Sequence, residues 1–219
     1  MVRFRRHRYA ITTDIEKAFL HVGLNKDDRD VTRFLWLSNP SDVTSPLMTY
    51  RFKVVLFGAT CSPFILSATL LKHLQQTNSN TARMLERDLY VDNILTSIDR
   101  ESDALNFFEQ AREMMSKAGF NLRSWNSNSI KVRQQAVYQT VLDTDTDTKV
   151  LGMRWNSNTD YLFYPHKCKE ESTTKLVTKR EILRYSSGIY DPLGLLIPVT
   201  ITAKILLQEI WNLGLKWDS

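Results

Sequence analysis

Two aspartates occupy positions that predict a shared chemical site. Asp92 lies in the middle of residues 89–95, where aromatic and β-branched residues on both sides predict two short strands joined by a tight turn. Such a turn presents its carboxylate outward. Asp14 ends an earlier strand-like run, in which it shares one face with Ala10 and Thr12. Two carboxylates brought together from different strands form an oxygen-ligand site suited to Mg²⁺.

A magnesium site of this kind implies one class of reaction. Mg²⁺ held by one or two carboxylates keeps several waters and takes its remaining ligands from substrate phosphates. A pair of such ions stabilises the attacking and the leaving oxygens of an in-line displacement at phosphorus. The two aspartates therefore predict metal-assisted nucleotidyl transfer.

The composition is that of a globular protein with an excess of basic residues. The 219 residues are 42% hydrophobic and 24% charged, which argues against disorder. The net charge of +5 favours an anionic partner, and nucleic acid is the usual one. Cys61 and Cys168 lack the spacing of a zinc site or a disulfide framework, which favours an intracellular setting. No run of about 18 apolar residues is present, so no membrane span is predicted.

Hydrophobic periodicity predicts two helices in the first two thirds of the chain. Residues 103–118 carry a single apolar face and are followed by Gly119 as the C-cap. A second helix is predicted over 64–74, with Ser62 as its N-cap and Pro63 as its first residue.

Alternation of side chains predicts strands over 32–37 and 50–56, and a hairpin of 150–156 with 161–164. From Pro165 a charged linker leads into helical runs over 179–187 and 200–213.

The acidic run 143–148 imitates the start of a calcium-binding loop. Thr148 stands where the sixth position needs glycine, and Arg154 stands where the twelfth needs glutamate. We therefore interpret the run as an exposed acidic loop.

Five short motifs resemble those of a known family in order and character. Three resemble the palm motifs of reverse transcriptases: Asp14-Ile15-Glu16-Lys17-Ala18-Phe19, Phe57-Gly58-Ala59-Thr60-Cys61-Ser62-Pro63 and Tyr90-Val91-Asp92-Asn93. The last third resembles the BEL/Pao class of LTR retrotransposon polyproteins, through Leu151-Gly152-Met153-Arg154-Trp155 and Tyr190-Asp191-Pro192-Leu193-Gly194-Leu195.

The resemblance implies roles for individual residues. Asp14 and Asp92 are the implied catalytic residues and ligands of Mg²⁺ or Mn²⁺, and Asn93, where most reverse transcriptases have a second aspartate, is a further candidate ligand. The implied dNTP-binding residues are Phe19, Phe57, Gly58 and Tyr90, and the implied primer grip is Gly152, Met153 and Trp155. Without the resemblance, Phe19 is better explained as a core aromatic and Gly58 as an ordinary strand-to-helix turn.

The implied fold is α+β. Residues 1–164 would form a polymerase palm, with an antiparallel sheet and helices packed on one face, and 165–219 a small helical segment similar to a thumb or connection. The implied function is RNA-directed DNA polymerase. The implied partners are an RNA/DNA template–primer, dNTPs, and the RNase H and integrase regions of a parent polyprotein. The implied setting is the cytoplasm, in a virus-like particle, or the nucleus, with no membrane.

Two features favour an alternative hypothesis. Asn93 offers a neutral oxygen where relatives have a charge, and the fingers segment of relatives is not recognised ahead of Asp14. RNase H, integrase and protease motifs are not recognised either, which predicts a polyprotein fragment. The alternative is a catalytically inactive, retrotransposon-derived fragment that at most binds nucleic acid.

Overall fold

The computed structural model describes residues 2–145, 147–164 and 177–218. They fall into two compact units, Val2–Asp145 and Thr146–Ser219. Helices and antiparallel strands are mixed along the chain, which confirms the predicted α+β class. The linker predicted from Pro165, and Cys168 within it, lie outside the described residues.

The described strands are β1 (Tyr9–Ile15), β2 (Arg33–Leu37), β3 (Leu47–Arg51), β4 (Leu89–Tyr90), β5 (Asn93–Ile98), β6 (Leu122–Ser127), β7 (Asp147–Val150), β8 (Met153–Asn156) and β9 (Tyr161–Phe163). The described α-helices are α1 (Ser62–Gln75), α2 (Asn80–Asp88), α3 (Glu101–Lys117), α4 (Ile130–Tyr138), α5 (Lys179–Ser187) and α6 (Ile197–Asn212). Short 3-10 helices cover Arg3–Arg5, Ala18–His21 and Lys26–Thr32.

A four-stranded antiparallel sheet, in the order β4-β5-β1-β6, forms the centre of the first unit. Ile11 and Ile15 of β1 and Ile94 of β5 share one hydrophobic core with residues from α1 to α4. Trp125 of β6 is fully buried in this core and meets Phe108 of α3 edge-on, with ring centroids 4.5 Å apart. The helices bury this face of the sheet, on which the antiparallel ladder holds β1 and β5 side by side.

Helix α1 shows how the sequence directs this packing. Pro63 lies in its first turn, where its missing N–H costs nothing. Leu66, Leu70 and Leu74 recur every fourth residue and are all buried. The predicted helix is confirmed, but Ser62 is not its N-cap. Cys61 holds that position, and the Ser62 hydroxyl instead donates to the carbonyl of Leu56 at 2.6 Å.

Two helices that were not predicted complete the first unit. Ser79 caps α2 by accepting a hydrogen bond from the amide of Ala82, and Ser129 caps α4 by accepting one from Val132. Both helices have nine residues. So short a helix shows barely two turns of apolar periodicity, which explains why the pattern did not reveal them.

The strand predicted over 50–56 is wrong in its position. The strand is β3, Leu47–Arg51, because the amide of Ser38 donates to the carbonyl of Pro46 and closes a hairpin with β2 in the register Leu37↔Leu47. Residues 52–56 pair elsewhere, since Val54 forms a bridge with Gly23. In this hairpin Arg33 and Arg51 stand opposite each other, and both pair with Asp30.

In the second unit, β7, β8 and β9 form a three-stranded antiparallel sheet. The hairpin predicted from 150–156 and 161–164 is confirmed for β8 and β9, but its first arm is shorter than predicted, because Val150 ends β7 and Leu151 and Gly152 form the turn into β8. The acidic run is not wholly a loop, because Asp147 and Thr148 begin β7. Helix α5 begins with a capping box, in which Thr178 accepts from the Glu181 amide and the Glu181 side chain accepts from the Thr178 amide.

The C-terminal residues fold back onto α5. Arg180 pairs with Asp218 at 2.6 Å, and the Lys179 ammonium lies 3.9 Å from the centroid of the Trp211 ring. Within the described parts of the chain, every helix is too short or too polar to cross a lipid bilayer.

Candidate active site

Asp14 and Asp92 lie at the same end of two adjoining strands. The antiparallel ladder of β1 with β5 aligns Asp14 with Asn93, the residue that follows Asp92. Beside them, the amide of Ile15 donates to the carbonyl oxygen of Asp92 at 2.8 Å. The fold therefore brings together the two aspartates that the sequence predicted as a pair.

A two-residue turn presents Asp92. Tyr90 pairs with Asn93 across the β4–β5 hairpin, which leaves Val91 and Asp92 as the turn. Val91 has a φ of 57°, in the left-handed region that β-branched residues rarely adopt, and it packs against the hydrophobic core. The predicted tight turn is confirmed, and Asp92 is half-buried in it.

The Asp14 carboxylate is held in an unfavourable environment. Its Oδ1 atom is buried and has no hydrogen-bond partner within the described residues. Burial raises the pKa of Asp14, and the negative charges of Asp92 and Asp143 raise it further. A hydrogen bond from Ser124 and the positive charge of Arg123 act in the opposite direction. A cation bound at this point would offset both the cost of burying the Asp14 charge and its repulsion by Asp92 and Asp143.

Asp143 and Ser124 were not identified from the sequence. Asp143 comes near because residues 141–143 run alongside β6, where Trp125 bridges Leu142 and the Asp143 amide donates to the Trp125 carbonyl at 2.9 Å. The acidic run gave no pairing pattern that could have predicted this. Ser124 sits on β6 in a left-handed conformation, with a φ of 50°.

A positive charge flanks Asp14 on the side away from Asp92. Arg123 of β6 is aligned with Asp14 and is 2.6 Å from a carboxylate oxygen of Glu16. Asn121 donates to the other oxygen of Glu16 at 2.9 Å. The hydrogen bond from Asn121 and the charge of Arg123 lower the pKa of Glu16. Glu16 therefore stays ionised and holds Arg123 in place.

The predicted nucleotide-binding residues lie in two places, Phe19 with Phe57 and Gly58 in one and Tyr90 of β4 in the other. Phe19 is 6% exposed, belongs to the hydrophobic core and meets Phe57 edge-on, with ring centroids 4.7 Å apart. Phe57 is 63% exposed, and Gly58 beside it has a φ of 88° with open space around it. Tyr90 is exposed and is aligned with Asn93.

The predicted primer-grip residues lie in the second unit, at the turn between β7 and β8. Gly152 has a φ of 87°, and its Cα faces the ring of Tyr190 so closely that a side chain there would clash. Met153 and Trp155 are buried, and the Trp155 indole nitrogen donates to Asp160 at 3.0 Å. Only Gly152 of the three is exposed.

Comparison with protein families supports the resemblance seen in the sequence. Residues 2–155 match the family described as "Reverse transcriptase (RNA-dependent DNA polymerase)". Residues 178–219 match a second family, described as "Pao retrotransposon-like RNaseH-like domain". A comparison with curated proteins found no match.

The first match covers well over half of the chain, which therefore belongs to the reverse transcriptase family. Together, the two matches define a reverse transcriptase of the Pao/BEL class of retrotransposons. The second match names residues 178–219 as RNaseH-like, which corrects the expectation that no RNase H-related segment is recognisable in the sequence. The resemblance of this segment to a thumb stays a prediction.

Proposed function

We propose that this chain is an RNA-directed DNA polymerase in which Asp14 and Asp92 are the catalytic carboxylates. The observation that carries the proposal is their placement at adjoining strand ends, with Oδ1 of Asp14 buried and without a partner among the described residues. While it is ionised, a carboxylate with an orphaned oxygen beside a second carboxylate is unfavourable, and a cation bound there would offset this cost.

The donor set fits a divalent metal ion that is shared with substrate. Among the described residues, no three or more His, Cys, Asp or Glu side chains are grouped so that they could hold a metal ion alone. Mg²⁺ in polymerase-type sites uses one or two carboxylates and completes its shell with water and substrate phosphates. Asp14 and Asp92 would hold Mg²⁺ or Mn²⁺, which, when bound, activates the primer hydroxyl and stabilises the departing pyrophosphate.

The protein's own contribution is positioning. In the transfer, the 3′-hydroxyl of the primer would release its proton to solvent and its oxygen would bond to the α-phosphorus of the dNTP, while the bond from that phosphorus to the departing pyrophosphate breaks. β1 and β5 hold the backbones of the two aspartates side by side through a ladder that is buried on its helix side. Arg123, held by Glu16, offsets part of the negative charge around Asp14.

The nucleotide would contact the exposed aromatic residues near these strands. Phe57, Gly58 and Tyr90 are accessible, and the open space at Gly58 lets a substrate approach the backbone. By the resemblance to reverse transcriptases, Phe19 would act as a sugar gate, a ring that clashes with a ribose 2′-hydroxyl and so selects deoxynucleotides; in this chain the ring lies against Phe57. Gly152 would form the accessible part of the primer grip, supported from beneath by buried Met153 and Trp155.

As a polymerase of this kind, the chain would act on an RNA/DNA template–primer and dNTPs, together with the RNase H and integrase regions of a parent polyprotein. It would work in a cytoplasmic virus-like particle or in the nucleus. The net charge of +5 supports an anionic partner.

Primer extension tests the proposal. With Mg²⁺ or Mn²⁺, an RNA template and a DNA primer, we expect the chain to incorporate dNTPs and Asp92→Ala to lose incorporation. Asp99→Ala is the matched control, because Asp99 follows the far end of β5 and lies about 20 Å along the strand direction from Asn93. Equal incorporation by Asp92→Ala and the unaltered chain would refute the catalytic role.

Asn93 supports a second candidate function, a catalytically inactive fragment that binds nucleic acid. Its amide donates to Asp92 where relatives have a second carboxylate. If the unaltered chain is silent in primer extension and Asn93→Asp gains activity, the second candidate holds and its cause is this residue. Salt-sensitive nucleic-acid binding would fit both candidates and does not separate them.

A further inference from the structure

Asn93 adjoins both aspartates of the candidate active site, Asp92 along the chain and Asp14 across the β1–β5 ladder. In the β1–β5 ladder it is the partner of Asp14, and its side-chain nitrogen Nδ2 donates to Oδ1 of Asp92 at 2.8 Å. It is also the partner of Tyr90 across the β4–β5 hairpin, and its side chain is half-buried. Its position is therefore fixed from both neighbouring strands.

Asp92 needs such an anchor because it sits on a turn. Its backbone is held by the Ile15 amide on one side and by the left-handed conformation of Val91 on the other. Backbone restraint does not fix χ1 and χ2 of an aspartate, which has several open rotamers at a half-buried position. The hydrogen bond from Asn93 selects one of them.

The chemistry of the amide dictates the direction of this bond. An ionised carboxylate only accepts hydrogen bonds, whereas an asparagine side chain carries both a donor and an acceptor. The Asn93 amide must therefore turn its nitrogen toward Asp92, and its oxygen points elsewhere. An aspartate at position 93 would set two acceptors against each other at this distance.

We propose that Asn93 is a positioning residue that orients the Asp92 carboxylate for a divalent ion shared with Asp14, and that it acts as a hydrogen-bond donor instead of a metal ligand. The inference rests on the proposed function. It replaces the ligand role predicted from the sequence with an indirect one. Outer partners of this kind orient ligands and commonly set metal affinity.

Because Asn93 is neutral, the site carries less negative charge than it would with an aspartate at position 93. With fewer charged ligands, the protein holds the ion less tightly than a site with that aspartate would, and substrate phosphates supply a larger share of its ligands.

The hydrogen bond itself is tested by NMR on the full chain without metal. We expect the Asn93 side-chain amide protons to exchange with solvent more slowly than those of Asn106, which is exposed on α3. In Asp92→Ala this protection should disappear for Asn93 and stay unchanged for Asn106. Fast exchange in the unaltered chain, or protection that survives Asp92→Ala, would overturn the proposal.

The positioning role is tested by calorimetric titration of the full chain with Mn²⁺. Loss of an outer partner typically weakens metal binding about 10–100-fold, and we expect Asn93→Ala to fall in this range. The matched control Asn106→Ala should bind as the unaltered chain does. Binding by Asn93→Ala that equals the unaltered chain would overturn the positioning role, even if NMR shows the hydrogen bond.

The titration separates this proposal from the proposed function. If the unaltered chain binds Mn²⁺ and Asp92→Ala does not, the metal site stands, and only the Asn93→Ala result decides the positioning role. If Asp92→Ala binds Mn²⁺ as well as the unaltered chain, the proposed metal site itself is refuted, and the positioning role falls with it. Because the NMR experiment uses the unaltered chain, it decides the hydrogen bond even if Asn93→Ala fails to fold.

Discussion

Replacing Asp14 by asparagine should make the protein more stable and inactive at once. In the absence of a divalent ion, the ionised carboxylate is half-buried, has an unpaired oxygen and is repelled by Asp92 and Asp143. Asparagine has the same shape without the charge. We expect Asp14→Asn to raise the free energy of unfolding at pH 7 in chelator by about 0.5–2 kcal/mol. That corresponds to a rise in Tm of roughly 1–8 °C for a chain of this size.

The pH dependence gives the sign of the effect. The pKa of Asp14 is raised in the folded state above its ordinary value of 3.8. The stability contributed by its protonated form is fully present below pH 3.8 and is lost as pH rises through the folded-state pKa. The advantage of Asp14→Asn should therefore be small in acid and grow to a plateau as pH approaches 7.

Thermal unfolding in chelator, followed by circular dichroism at several pH values, measures this difference. Asp99→Asn is the control, since Asp99 is an exposed residue near the opposite end of β5, and it should show no comparable gain. With Mg²⁺ at a hundred times its dissociation constant, the unaltered chain should gain about 2.7 kcal/mol, which would cancel or reverse the advantage. Destabilisation by Asp14→Asn at pH 7 in chelator would refute the electrostatic account of the site.

Two further predictions concern the core and the sugar gate. Leu66→Ala should lower the free energy of unfolding by about 2–5 kcal/mol, because Leu66 is fully buried. Phe64→Ala, at an exposed position of the same helix, should change it by less than about 0.5 kcal/mol. Urea titration measures both free energies. Phe19→Val should raise incorporation of ribonucleotides relative to deoxynucleotides, measured as the ratio of their kcat/KM values, since it removes the ring that rests on Phe57. An unchanged ratio would contradict the gate.

Neither local pattern encodes the pairing of β1 with β5, which joins residues far apart along the chain. The two elements that carry Asp14 and Asp92 were predictable because both of their signals are local. Strand alternation placed Asp14, and the short apolar runs on both sides of Asp92 placed the turn. The α+β class was predictable for the same reason, since strongly periodic runs such as α3 carry their own signal.

The rest of the site depends on contacts that no local pattern encodes. Asp143 acts on Asp14 only because residues 141–143 run beside β6, in an arrangement set by the packing of α4. The side-chain amide of Asn93 can donate through its nitrogen or accept through its oxygen, and only the position of the Asp92 carboxylate shows that the nitrogen forms the hydrogen bond. The register of β3 was missed because it depends on where the β2–β3 loop closes, at Ser38 and Pro46.

The most direct test of the central claim asks whether the two carboxylates work as one site. Single-turnover incorporation rates on an RNA template would be measured for the unaltered chain, for Asp14→Asn, for Asp92→Asn and for the double variant. Groups that act as a unit give strongly non-additive losses. We predict that each single variant loses nearly as much rate as the double variant does. Losses that multiply in the double variant, or a single variant with the rate of the unaltered chain, would contradict a shared catalytic site.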